Sequence, residues 1–335
     1  MKRLTNQSNV PLSVAVWLAS DNYGFQFNKK ALSATDMGKS VRQLILRNRL
    51  REAGETVIVE EDITRRLAAR IGHAVHDNIE QVWRDPIKRN IGLEQLGIPQ
   101  QVRDRIVIDP TPEFLEKNPK AIPVYMEVRT NKEINGYTIS GQFDFLAEGQ
   151  LEDFKSAGTY VFEKGVNNEK FALQGSIYRW LNPDKIKKDT TRINYLFKDW
   201  SENKAKASPK YPQSPVTAVE IKLMTPAETE QFIITKTNHL DAHKDTPEPE
   251  LPFCTAEELW QGDPEYKYFA KAESARASKV FGNDASAAYA HLASKGGKGI
   301  IKEIPAKAKA CHYCDAFQVC SQAQELLASG VLEPK

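Results

Sequence analysis

Two turn signals constrain this chain more than any other feature of its sequence. Asn135-Gly136 and Glu148-Gly149 cut the stretch from residue 123 to 156 into three strand-like runs, PVYMEVRT, YTISGQFDFLA and QLEDFKS. Asn-Gly readily adopts the positive φ angles of a tight hairpin turn, and the second run alternates as a half-buried strand does. Helical spacing appears on both sides. Upstream, a helix is predicted from near Ser33 through KSVRQLILRNRLRE. A second follows Asp62 as N-cap, with Leu67, Ile71, Val75, Ile79 and Val82 on one face. Short helical pieces broken by Pro and Gly fill 86–120. Downstream come a helix over about 169–181, strands in RINYLFKDW and TAVEIKLM, and a long helix with Pro226 in its first turn. This order predicts an α/β fold, a mixed central β-sheet flanked by helices. The proline- and acid-rich TPEPELP marks a boundary near 245–252. The chain therefore divides into an N-terminal extension over 1–32, loosely structured with one strand, a core over 33–245 and a small C-terminal module over 246–335.

With 335 residues, the chain can form one large domain or two modest ones. Its 41% hydrophobic and 27% charged residues exclude a disordered or collagen-like chain. No stretch approaches the roughly 20 apolar residues of a membrane span. The apolar run VPLSVAVWLA contains a Pro and no convincing cleavage site, so no signal peptide is expected. Lys and Arg number 46 against 44 Asp and Glu, which excludes a uniformly basic nucleic-acid binder but leaves a local basic channel open. Arg42, Arg47, Arg49 and Arg51 crowd one predicted helix, either as a solvated face or as phosphate contacts.

Chemistry concentrates around the second turn. Asp153 and Lys155 are two residues apart on a strand and point the same way, with Asp144 on the strand before. Packing the neighbouring Phe residues into a core puts these charged groups on a common opposite face. Two close carboxylates repel unless they share a cation, and hard oxygen ligands suit Mg²⁺ or Mn²⁺. A metal so held polarises a phosphoryl oxygen and acidifies water. Lys155 would then orient that water or stabilise charge on phosphorus oxygens. The same residues also fit an ordinary hairpin with surface ion pairs. His76, one helical turn before Glu80, can supply a nitrogen ligand, and His73 is its rival. Gln174 and Tyr178, one turn apart, can bind phosphate or stack on a base, or form a polar pair at the core's rim. Glu127 is a further acid that can join the site.

The ordered set GHAVH, GQFD, DFK and QGSIY resembles the RecB-type branch of the PD-(D/E)XK nuclease superfamily, over about residues 60–200. The resemblance implies a restriction-endonuclease-like core and metal-dependent phosphodiester hydrolysis. It implies that His76, Asp144 and Asp153 ligate Mg²⁺ or Mn²⁺ with the main-chain carbonyl of Phe154. Lys155 would be the base or water-positioner, and Gln174 and Tyr178 would hold DNA and the site's architecture. End-processing enzymes dominate this branch, so the leading expectation is an exonuclease on single-stranded DNA or DNA ends. A structure-specific endonuclease and a catalytically silent DNA-binding scaffold are the alternatives.

Residues 1–253 contain no cysteine; Cys254, Cys311, Cys314 and Cys320 all lie in the last quarter. So few thiols do not make a disulfide framework. They read as ligands of one metal centre in a reducing cytoplasm, either Zn²⁺ or a [4Fe–4S] cluster. Zinc knuckles predict two CxxC pairs, and this chain has one, although His312 can replace a thiolate in a zinc site. One distant cysteine plus a tight trio resembles the iron–sulfur nucleases of the same branch. There the isolated cysteine precedes the nuclease motifs, whereas Cys254 follows them. The resemblance implies a structural [4Fe–4S] cluster. The pattern PFCTAEELW…CHYC…C also resembles bacteriophage-encoded nucleases, which implies a role in phage DNA processing, recombination or replication and a partner from that machinery. Lys267, Lys271, Arg276, Lys279, Lys307 and Lys309 make the module basic enough to touch DNA phosphates, or are ordinary solvated lysines and arginine.

Overall fold

The computed structural model describes residues 2–20, 28–54, 59–165 and 167–334. The chain forms two compact units: Met1–Gly38 with Ile58–Asn238, and Lys39–Val57 with His239–Lys335.

The first unit is α/β, built on a mixed seven-stranded sheet flanked by helices. Its strands run in the order Ile106–Ile108, Ile122–Ile134, Tyr137–Ala147, Gln150–Ala157, Thr190–Phe197 and Val216–Lys222, with Ala31–Ser33 also pairing with Tyr137–Ala147. The expected hairpins hold. Ile134 pairs with Tyr137 and Ala147 with Gln150, and Asn135, Gly136, Glu148 and Gly149 all have φ between 50° and 76°. Gln150–Ala157 then runs parallel to Thr190–Phe197, a crossover made by the helix Asn168–Leu181. That helix can lie close to the sheet because residue 175 is glycine. A Cβ there would meet Leu223 at 2.9 Å and Thr191 at 3.2 Å.

Helix entry follows local chemistry. Asp62 accepts a 3.0 Å hydrogen bond from the Thr64 amide and opens a 3-10 turn, Ile63–Arg66, that runs into the helix Leu67–Arg84. The N-terminal segment is more ordered than its sequence suggests. Lys2–Thr5 pairs in parallel with Val59–Asp62, and Leu12–Ala19 is helical, while residues 21–27 lie outside the described residues. The helix expected from Ser33 is two helices. Ser33 caps Ala34–Met37 in a capping box with Asp36, and Ser40 caps Val41–Glu52.

Val41–Glu52 belongs to the second unit, although its sequence position falls in the 33–245 segment read as core. Leu44, Ile45 and Leu46 are buried, and so are Arg42 and Arg47. Arg49 is committed to the carbonyls of Lys244 and Thr246. The reading of this helix as a solvated or phosphate-facing basic surface is thus corrected for Arg42 and Arg47, which are buried, and for Arg49, which is held by distant carbonyls, while Arg51 is exposed. The rest of the unit has a three-stranded antiparallel sheet (Lys279–Val280, Glu265–Phe269, Ile300–Ile304) and the helices Ala285–Ser294 and Ser321–Ala328. The boundary between units lies after Asn238, inside the helix Pro226–His243, and Glu248–Glu250 is a 3-10 turn within the second unit. No helix among the described residues is long and apolar enough to cross a membrane.

Candidate functional site

The first unit gathers His76, Glu127 and Asp144. One ligand atom from each lies within 4.8 Å of the others, the sole such trio of His, Cys, Asp or Glu among the described residues. His76 projects from the helix Leu67–Arg84 and Glu127 from the strand Ile122–Ile134. Asp144 comes from the strand between Phe143, which is fully buried, and Phe145, which packs on Trp83 and Phe154. Burying the aromatic residues on either side holds the carboxylate in place. Asp144 Oδ2 accepts the Phe154 amide at 3.2 Å.

His76 Nε2 lies 2.8 Å from the Phe154 carbonyl and Nδ1 lies 3.3 Å from Asp144 Oδ2. A carbonyl only accepts, so Nε2 carries a proton. Nδ1 is then the nitrogen that faces the Asp144 carboxylate. Burial, and next the charge of Asp153, push the Asp144 carboxyl up to about 7, against the pull of His76, Lys155 and the Phe154 amide. Asp153 itself is buried and stands outside the close trio, ion-paired with Lys155. The Lys155 ammonium also sits 5.4 Å from the centre of the Phe171 ring.

Glu127 deepens the site beyond the expected ligands. Its φ of +52° is unusual for a glutamate within a strand, and such a conformation costs on the order of 1–3 kcal/mol. The flanking pairs Met126↔Phe145 and Val128↔Phe143 place it opposite Asp144. Its Oε2 accepts Gln142 Nε2 at 2.6 Å, and Gln142 Oε1 accepts the Arg129 guanidinium at 2.8 and 3.1 Å. Burial raises the Glu127 pKa, the Gln142 hydrogen bond opposes this, and Glu80 and Asp77 add repulsion. An acid inside an apolar strand run was the only sequence signal for it. His73 is exposed, away from the trio.

Gln174 and Tyr178 meet each other, with Gln174 Nε2 donating to the Tyr178 hydroxyl at 2.7 Å. The Tyr178 ring is buried on Gly141, the glycine of GQFD, where a Cβ would stand 2.8 Å from the ring. This pair shapes the frame behind the Asp144 strand.

In the second unit all four cysteines are free thiols and line one cavity with Arg42, Leu46, Phe317 and Gln322 among its other walls. Gln322 clamps Cys254, accepting its amide at 2.8 Å and donating to its carbonyl at 2.9 Å, and Ser40 Oγ lies 3.2 Å from its sulfur. Burial, ahead of all other causes, pushes Cys311 and Cys314 up to about 11 and raises Cys254. His312 is not part of the lining. Of the basic residues in this unit, Lys267 pairs with Glu265 and Lys307 with Glu333, while Lys271, Arg276, Lys279 and Lys309 are exposed.

No known protein-family model matches the chain, and neither does any curated protein. Among solved structures it is similar to SSO0001, with a TM-score of 0.35 and 17% identity over 67% of this chain and 81% of that one. It is also similar to a phage-related exonuclease from Haemophilus somnus 129PT, with a TM-score of 0.21 and 15% identity over 33% of this chain and 58% of that one. Neither likeness decides the activity of this chain.

Proposed function

We propose that the chain is a Mg²⁺- or Mn²⁺-dependent deoxyribonuclease that hydrolyses phosphodiester bonds at single strands or DNA ends, in phage DNA processing, recombination or replication. The observation that carries this reading is the convergence of His76, Glu127, Asp144 and the Phe154 carbonyl beside the Asp153–Lys155 ion pair. The donor set fits a hard divalent cation. Ligand atoms of His76, Glu127 and Asp144 already lie within 4.8 Å of one another. Asp144 and Glu127 supply carboxylates whose proton affinity is raised chiefly by burial, a cost that a bound cation would offset. A cation held there would polarise the scissile phosphoryl group and lower the pKa of a water.

The protein's own groups do the rest. Lys155, paired with Asp153, is an ammonium that donates hydrogen bonds and stabilises charge on the phosphoryl oxygens. This favours positioning and charge stabilisation over a role as base. Asp153 holds that ammonium in place. In hydrolysis the water oxygen forms a new bond to phosphorus as the bond to the ester oxygen breaks; the water's proton passes to solvent or a nearby carboxylate, and the leaving oxygen takes a proton from solvent. Asp153→Asn should abolish cleavage of end-labelled DNA in Mg²⁺ or Mn²⁺ while leaving DNA binding intact. Cleavage that survives refutes the assignment. The preference for ends rests on the four ordered motifs alone, and cutting of circular single strands would replace it with the endonuclease reading. Binding without cutting by the unaltered protein would favour a scaffold.

The cysteine cavity is assigned to a [4Fe–4S] cluster, with Zn²⁺ as the alternative. The chain has one CxxC pair and not the two of paired zinc knuckles, which supports this order. Brown protein with four irons per chain is expected; colourless protein with one zinc overturns the cluster.

A further inference from the structure

Arg42 is 1% exposed, and its side chain points into the cavity of the four cysteines. Its Nε donates to Cys320 Sγ at 3.2 Å, Nη1 to the Leu251 carbonyl at 2.8 Å and Nη2 to Ser321 Oγ at 2.8 Å. Nη2 also pairs with Glu248 Oε1. That same oxygen accepts the Ser321 amide at 2.9 Å and the Ser321 hydroxyl at 3.2 Å. The Phe253 ring lies 5.2 Å away from the guanidinium carbon. Every nitrogen of this buried cation is therefore committed, and the one that faces the cavity is aimed at a sulfur.

This arrangement is more than a salt bridge. Burying a guanidinium is costly unless it is paired and fully hydrogen-bonded. Glu248 with the Leu251 carbonyl and Ser321 already hold the two outer nitrogens, and Glu248 supplies the counter-charge. The Nε–H spent on sulfur is the donor that a purely structural ion pair would not need to direct there. A hydrogen bond to a ligating sulfur withdraws electron density from it, and a fixed positive charge favours the more negative redox state. Glu248 works in the opposite sense by partly neutralising that charge.

We infer that Arg42 is a positioning residue of the cysteine centre: through Cys320 it raises the cluster's reduction potential and helps retain the iron, with Glu248 setting how much of its charge the cluster feels. The inference rests on the [4Fe–4S] reading given above. It concerns the centre's second layer of contacts, where loss of one partner commonly costs about 10–100-fold in metal affinity.

The test compares wild type, Arg42→Lys, Arg42→Gln and Glu248→Gln, all full-length and purified anaerobically, by iron content, chelator-driven iron loss and midpoint potential. Arg42→Lys and Arg42→Gln should lose iron to a chelator about 10-fold faster or more. Arg42→Gln should also lower the midpoint. A tenfold shift toward the oxidised form is about 59 mV for a one-electron couple. Glu248→Gln retains an oxygen that can accept from Arg42 and Ser321 but removes the counter-charge, so its midpoint should rise. It decides the matter if an Arg42 variant does not fold. A role confined to packing would not move the two midpoints in opposite directions. Iron-loaded wild type with midpoints unmoved in the loaded variants overturns this inference alone. Wild type without iron overturns the cluster reading and this inference with it.

Discussion

Asp144 offers a test in which stability and activity move in opposite directions. Its carboxyl is raised from 3.8 to about 7, chiefly by burial and next by Asp153. A raised acid binds its proton more tightly in the folded state, so its share of stability is complete below the unfolded value near pH 4 and is lost as pH rises towards 7. Each tenfold change in proton affinity is about 1.36 kcal/mol. Above pH 7 the ionised carboxylate therefore destabilises the metal-free fold, by up to about 4 kcal/mol. Asp144→Asn keeps an oxygen to accept the Phe154 amide and removes the charge. In chelator, urea unfolding followed by tryptophan fluorescence should show the variant more stable than wild type by up to about 4 kcal/mol at pH 8 and nearly equal to it at pH 4. Trp83, 5.0 Å from Phe145, is a reporter beside the site. Added Mg²⁺ should stabilise wild type by mass action and leave the variant nearly unchanged. Cleavage should be lost. A variant no more stable than wild type at pH 8 refutes the argument that an uncompensated buried charge prepares this site for a cation.

Three further substitutions probe neighbouring groups. Lys155→Met should lower kcat by about 10²–10³-fold, the usual loss for one charge-stabilising donor, with little change in the DNA concentration needed for half-maximal binding. Glu127→Gln keeps the partner of Gln142 but removes a carboxylate, so the Mn²⁺ concentration for half-occupancy, read by calorimetry, should rise at least tenfold; an unchanged affinity removes Glu127 from the site. Gly141→Ala places a methyl group 2.8 Å from the Tyr178 ring and 2.9 Å from Leu181. It should destabilise by about 1–3 kcal/mol, and Tyr178→Leu should relieve part of that loss in a double-mutant cycle.

The hairpins were legible because their information is local. Asn135-Gly136 and Glu148-Gly149 carry the positive φ of their turns in their own chemistry. The helix of His76 was legible from its apolar spacing and the Asp62 cap. The break at Gly38 was also written locally, in two successive serine caps at Ser33 and Ser40, yet apolar periodicity runs through it and suggests one helix. Other features depend on distant partners. Arg42 looks like a surface arginine until Glu248, 206 positions later, is placed beside it. Glu127 reads as one acid in a strand. Its backbone conformation and its meeting with His76 and Asp144 arise only when the strand and helix are assembled. The glycine of GQFD is a motif letter in sequence and a seat for the Tyr178 ring in the fold.

The second unit makes a separate thermodynamic demand. It joins residues 39–57 to 239–335, and Arg42 and Cys320 are 278 positions apart. Loop closure alone is not the obstacle, since its entropy grows only with the logarithm of length. The interior is. A small sheet and a cavity walled by four cysteines and a guanidinium provide less apolar burial than a seven-stranded core. Burial holds Cys311 and Cys314 near 11, so they are thiols at neutral pH and must release protons to ligate metal. For the metal centre proposed here, loading would be favoured as pH rises and weakened as it falls, and its free energy would become folding free energy for this unit. Removing the metal with a chelator at neutral pH should abolish amide-exchange protection in the helices Val41–Glu52 and Ser321–Ala328, while the strands Tyr137–Ala147 and Thr190–Phe197 keep theirs. Equal loss in both units, or loss in neither, would show that the cysteine centre does not hold the second unit together.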